Sequence, residues 1–266
     1  MQFRSLILAC GILVAAEASA HEFWIEPDSG TTAHVRVGQM LVGEPLPFLD
    51  RIIRSARHYS PDGVHELEGR QGDIPALTVD LTTPGLHLIT VETAPAYIVF
   101  EDLAEFRDYL DYEGLGRVMD EHRSRGGPDR EIAEEYLRYA RTLSASGPAK
   151  ALGADAPRGL RYELVAATSP FSAGAQTVEV HLLWDGQPQV ETQVSVFHRP
   201  EADPANVTRA LLTTDADGRV VAELNGPGLY LLNAVHMIAA EGPGSVVWQS
   251  HWASLSFQLG AKGQPE

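Results

Sequence analysis

The chain has 266 residues, 44% of them hydrophobic and 21% charged, a balance that supports a packed core and excludes wholesale disorder. Lys and Arg number 20 against 36 Asp and Glu, a formal net charge of -16 that repels polyanions and excludes nucleic acid as a natural partner. The length fits two domains of roughly 100–200 residues each.

In chain order, Met1-Gln2-Phe3-Arg4 carries one positive charge, Leu6 to Ala16 is apolar, and Ala18-Ser19-Ala20 is a small-residue cleavage signal. Residues 1–20 are therefore predicted to be a secretory signal peptide and the mature protein to be periplasmic. The apolar run falls short of the ~20 residues that cross a bilayer, and no later run reaches that length, so a protein that is not membrane-embedded is expected. The single cysteine, Cys10, lies in the leader. A metal on the mature chain would then be held by nitrogen and oxygen.

Cleavage after Ala20 would leave His21 first, with an α-amine and an imidazole on one residue, a bidentate nitrogen chelator for nickel, cobalt or copper. Cleavage after Ala18 would place His21 third, where amine, amides and imidazole suit a square-planar copper or nickel ion. The plain alternative is a terminus where the leader merely ends. Against it, Glu22-Phe23-Trp24-Ile25-Glu26-Pro27 reads as a strand that starts at once.

Residues 21–100 alternate short strand patterns with turn residues, as in Ala56-Arg57-His58-Tyr59 before Ser60-Pro61-Asp62-Gly63, and predict an antiparallel β domain. Across residues 101–150 the apolar spacing changes to three and four, through Leu103, Phe106 and Leu110 and then Ile132, Tyr136, Tyr139, Ala140 and Leu143. Two amphipathic helices are predicted there, separated by Gly126-Gly127-Pro128-Asp129. Residues 151–160 read as a linker. Over residues 161–259 strands return, with turns at Asp185-Gly186 and Asp215-Ala216-Asp217-Gly218, before a tail at 260–266. The whole is a mainly β chain: two immunoglobulin- or transthyretin-like β-sandwich domains with a two-helix insert. Pro84-Gly85-Leu86-His87-Leu88 is echoed by Pro227-Gly228-Leu229-Tyr230-Leu231, in keeping with two related units.

Four histidines are candidate metal ligands: His21, His236, His87 and His251. His236 lies in an apolar strand, where a polar ring needs a partner. Folding the last hairpin about Gly242 is predicted to put His236 opposite Trp248 and Asn233 opposite His251, so that His21, docking along this edge, would meet two imidazoles and Glu22. His87 follows a sharp turn and is the secondary candidate. His58, His65, His122 and His181 read as surface residues. Asp215-Ala216-Asp217-Gly218 fails the calcium-loop register, because the first and last ligand positions fall on Thr213 and Leu224. No Gly-x-Ser-x-Gly elbow, phosphate-cradling loop or cysteine nucleophile is present.

His21-Glu22-Phe23-Trp24-Ile25-Glu26-Pro27, Val42-Gly43-Glu44-Pro45-Leu46-Pro47, Thr214 to Gly218, Ala234-Val235-His236-Met237 and Trp252-Ala253-Ser254-Leu255 occur in an order and spacing that matter together. In these motifs the chain resembles a bacterial periplasmic family of unknown function, described as the periplasmic component of nickel or cobalt uptake systems. The resemblance spans nearly all of the mature chain. It implies a secreted metal-binding protein that serves a membrane metal transporter, with His21 and His236 at pattern positions and His251 where an aromatic residue is expected.

The expectation is thus a non-catalytic periplasmic protein that captures nickel, cobalt or copper and hands it on. Two alternatives belong to other classes: a copper-dependent oxidase or mono-oxygenase using the same nitrogens, and an adhesive or carbohydrate-binding sandwich without metal.

Overall fold

The computed structural model describes residues 21–28, 30–147, 153–241 and 244–260. The predicted signal peptide and all of the predicted tail but Gly260 lie outside these residues. The chain is mainly β, with two helices. Its strands are β1 Glu22–Asp28, β2 Thr32–Gln39, β3 Val42–Leu46, β4 Ile53–Ser60, β5 Gly63–Glu66, β6 Leu77–Thr78, β7 Gly85–Thr93 and β8 Ala96–Asp102. After helices α1 (Leu103–Glu113) and α2 (Gly116–Ser124) come β9 Arg130–Ser146, β10 Tyr162–Ala166, β11 Thr177–Trp184, β12 Gln187–Pro188, β13 Gln193–Pro200, β14 Thr208–Thr213, β15 Arg219–Glu223, β16 Gly228–Ala239 and β17 Val246–Leu259.

A nine-stranded sheet in the order β14-β13-β16-β17-β9-β7-β4-β5, with β8 also on β9, runs through both halves of the chain. A four-stranded sheet of β1, β2, β3 and β6 covers part of one face, and β10, β11, β12 and β15 form a second that covers the other. The two predicted sandwiches therefore share their middle layer.

The segment from Ile132 to Leu143, predicted as the second helix, is strand β9 instead, and the two helices sit together in residues 103–124. The physical reason is burial on both sides. Ala140 faces the core with Ile89 and Val91, whereas Tyr139 and Leu143 face the core with Leu164 and Leu255. A strand covered on both faces loses its two-residue alternation. Glu134, Arg138 and Arg141 then interrupt the apolar run at intervals that imitate a helix. β17 pairs with β9 in parallel and β7 pairs with it antiparallel, so backbone bonding on both edges overrides the local pattern.

Helix α1 begins as its sequence dictates: the Asp102 side chain accepts from Ala104 N at 2.8 Å and Glu105 N at 3.1 Å. It ends at Gly114, whose φ of 73° suits a residue without a Cβ. Phe106, Leu110, Val118 and Met119 pack with Ile132, Met237 and Trp248. The helices thereby cover the same face of the central sheet as β1, β2 and β3, beside them.

β1 is pinned across that face. Ser254 Oγ donates to the Phe23 carbonyl and Ser256 Oγ to the Ile25 carbonyl, both at 2.6 Å. The echo seen in the sequence has one geometric meaning: Gly85 and Gly228 open β7 and β16 with φ of 144° and 151°. A Cβ on Gly228 would lie 2.3 Å from the Arg199 carbonyl oxygen.

Candidate functional site

A polar seam separates β1 from α1 where both rest on the central sheet. Glu22, Glu113 and Glu134 are all buried there, at 2%, 4% and 0% exposure. Glu22 accepts from Met40 N at 3.2 Å and from Tyr112 Oη at 3.4 Å. Glu134 accepts from Tyr109 Oη at 3.2 Å and from Ser250 Oγ, and Ser250 Oγ in turn accepts from Trp252 Nε1 at 3.0 Å. Burial pushes Glu22 and Glu134 up to about 7, and burial followed by the charge of Glu22 pushes Glu113 up to about 8.

His21 stands at the end of this seam, directly before β1. Arg138 Nη2 donates to its carbonyl oxygen at 3.2 Å, and the same guanidinium lies over the Tyr136 ring at 4.5 Å. Burial, then the positive charge of Arg138, lowers the His21 imidazole below its usual value. Among the described residues, His21 Nδ1, Glu134 Oε2, Arg138 Nε and both side-chain polar atoms of Asn233 are buried without a hydrogen-bond partner. These lie on this face of the sheet, and Arg141 Nε and Tyr162 Oη are orphaned on the other. Orphaned polar atoms gathered in one region mark a place that suits water or a ligand.

His236 and His251 lie on the opposite face. The predicted register was in error: His236 pairs with His251, Asn233 with Ser254, and Ala239 with Trp248. The hairpin is longer on the β16 side than a fold about Gly242 allows, and the shift brings the two histidines face to face. Trp184 covers both rings, with centroids 4.4 and 4.8 Å away. His251 Nε2 lies 3.1 Å from Gln249 Oε1, which requires the proton on Nε2, and its Nδ1 lies 3.3 Å from Tyr139 Oη. Burial, aided by Arg161 and His236, holds His251 down to about 3.

His87 shares the face of His21 but belongs to another neighbourhood. It pairs with Ser144, six residues along β9 from Arg138, which is about 20 Å at ~3.3 Å per residue. Its Nδ1 is 2.9 Å from Nε2 of His58, which is buried at 4% exposure and is no surface residue. His122 is likewise buried, accepting at Nδ1 from Trp248 Nε1 at 3.0 Å. His122 is interior although Asp120, Glu121 and Arg123 around it stay exposed, because its side of α2 packs against Trp248, and His58, beside a turn in the sequence, is covered because its side chain points to the packed face of β4.

The four predicted ligands therefore fall into three places, and His21 does not meet a second imidazole among the described residues. In the same residues no group of three or more His, Cys, Asp or Glu side chains stands in a metal-holding arrangement.

A family model described as "Domain of unknown function (DUF4198)" matches residues 18–238. The chain belongs to this family. The match spans β1 through most of β16, so it includes the three carboxylates of the seam and the β16 histidine, but not Ser250 and Trp252 on β17. No curated protein matches the chain. Among solved structures, the tetra-tandem repeat in the extending region of a large adhesion protein aligns at 12% identity and a TM-score of 0.21, over 90% of this chain and 50% of its own. The chain spans about half the length of that structure.

The residues that sequence reasoning missed in this DUF4198 chain are Glu113, Glu134, Arg138 and Tyr109. Glu134 and Arg138 fall inside the segment predicted as the second helix, between the apolar positions that suggest it. Their one available signal was a pair of opposite charges four apart, which a helix surface explains equally well.

Proposed function

We propose that the mature protein is a periplasmic metal-handling protein that captures a late transition-metal ion (nickel, cobalt or copper) at His21 and passes it to a membrane transporter. The observation that carries this reading is His21 Nδ1, which is buried and without a partner among the described residues. Its depressed pKa keeps the lone pair free at neutral pH. Once a peptidase cuts after Ala20, the amine of the same residue supplies a second nitrogen, and the two close a chelate.

Two features support positioning of that chelate. β1 starts at Glu22, so the residue is held to the body of the protein, and Arg138 fixes its carbonyl. The charge of Arg138 opposes a cation. Glu134, on the same face, offsets part of that charge in its ionised form. The open coordination positions left by a two-nitrogen site favour transfer over storage. Redox use of copper would call for a further imidazole beside His21, and neither His236 nor His251 is on that face, so binding without turnover is the reading we favour.

The test is secretion with native processing, intact mass to confirm a start at His21, and titration with copper and nickel. One residue added ahead of His21, and separately His21→Ala, should each weaken binding at least ~10-fold. His236→Ala should leave it unchanged. Equal affinity in the extended and native forms sinks the proposal.

A further inference from the structure

At the outer edge of the central sheet, three histidines line up across three adjacent strands. His65 is on β5, His58 on β4 and His87 on β7, with His58 directly opposite His65 in the ladder. The His58 and His87 rings stack with centroids 5.1 Å apart, and His58 and His65 centroids are 6.1 Å apart. His87 is fully buried, His58 nearly so, and His65 is exposed.

The hydrogen bonds fix where the protons are. His87 Nε2 lies 2.8 Å from the Thr83 carbonyl oxygen, which only accepts, so His87 carries its proton on Nε2. With its proton on Nε2, the His87 ring presents Nδ1 as its acceptor. It accepts at 2.9 Å from His58, whose proton is therefore on Nε2. That leaves His58 Nδ1 as a lone pair, and it makes no hydrogen bond among the described residues. β7 and β5 flank β4 on opposite sides, so a ring whose Nε2 reaches β7 turns its other edge toward β5 and His65.

We propose that His58 and His65 bind a late first-row divalent cation on this sheet edge, with His87 as the hydrogen-bond acceptor that orients the ring of His58. A ligating imidazole whose other N–H is tied to an acceptor is the arrangement that fixes tautomer and raises donor strength. Here the acceptor is itself anchored to a backbone carbonyl. Asp80 is within electrostatic reach of both His58 and His87 and adds negative charge. The exposed His65 ring is free to turn until the two nitrogens are within the ~2.0–2.1 Å bonds that zinc requires. Since no three donor groups are already in place, the protein supplies two nitrogens and water the rest. The neighbouring Arg57 and Glu66 pair with each other at 2.7 Å and do not compete. This site goes beyond the proposed role of His21 and needs no free amino terminus.

The experiment uses the protein extended by one residue ahead of position 21 and carrying His21→Ala, which together remove both nitrogens of the amino-terminal chelate, so the two proposals fail separately. Zinc chloride is titrated calorimetrically, and the histidine tautomers are read from long-range imidazole 15N–1H spectra. The expected result is one equivalent of zinc, a shift at His58 Nδ1, at least a ~10-fold loss of affinity in His65→Ala and a ~10–100-fold loss in His87→Ala. His65 lies on an exposed edge strand, so its variant folds even if the two buried histidines tolerate no change. Absence of zinc binding in the extended protein, or affinity unchanged in His65→Ala, overturns the proposal.

Discussion

Arg138 donates to the carbonyl oxygen of His21 at 3.2 Å, tying the residue ahead of the first strand to the centre of the longest one. The contact joins positions 117 residues apart and sets the electrostatics of the proposed chelate. Arg138→Met removes the nearby positive charge while keeping much of the stem. The His21 imidazole pKa should rise toward its ordinary ~6.5, read by NMR titration of the ring protons. An unchanged value would show that burial acts alone.

Arg141 is buried on the other face, paired with Asp155 at 2.6 Å and with Glu163. Its guanidinium holds the segment after residue 152 against the central sheet. Arg141→Ala strands two buried carboxylates, and the expected loss is about 3–5 kcal/mol in urea unfolding. The change should lower the midpoint at an unaltered slope.

The carboxyl groups of the seam make stability fall as the solution becomes alkaline. Glu113 is raised to about 8 in the folded chain, so between ~4.5 and 8 the folded state holds the proton that the unfolded state has lost. Its contribution is complete below the unfolded value and is lost as pH rises through 8. Glu113→Gln mimics the protonated form. It should cancel about 2 kcal/mol of the decline between pH 6.5 and 8.5, seen as a smaller drop in Tm over that window.

His58 and His251 act at the acid end. Both are depressed, to about 4 and about 3, chiefly by burial. Below ~6.5 the unfolded chain gains protons that the folded chain refuses, so stability falls with pH from there down to the folded values. His251→Phe removes one of these protons. Its Tm should decrease less than that of the parent between pH 6.5 and 4.5, and an equal decrease would rule out His251 as a contributor.

Local punctuation was readable before any packing was known. The Asp185-Gly186 turn forms with both residues at positive φ and closes β11 on β12, and Asp215 Oδ1 accepts from Asp217 N and Arg219 N, each at 2.9 Å, in a turn without a calcium register. Asp102 and Gly114 bound α1 for the same local reasons. β11 and β15 follow their alternation closely because they are covered on one face only, whereas β16 and β17 of the central sheet are buried on both and read as near-continuous apolar runs. Composition and patterning thus suffice for a mainly β chain with a small helical insert.

Sheet order and side-chain meetings were not readable in the same way, since they depend on groups far apart in the chain. Nothing local to Ile132–Leu143 announces that β17 will pair with it in parallel, yet that pairing converts a helical spacing into the central strand. A shift of register by an odd number of residues decides whether two histidines share a face, and here a three-residue shift joins His236 to His251 while leaving His21 on the other side of the sheet. The same long-range packing buries Glu113 and Glu134 and pairs His58 with His87. Hydrogen bonding within a few residues is encoded locally, whereas burial and charge environment arise from the sum of distant contacts.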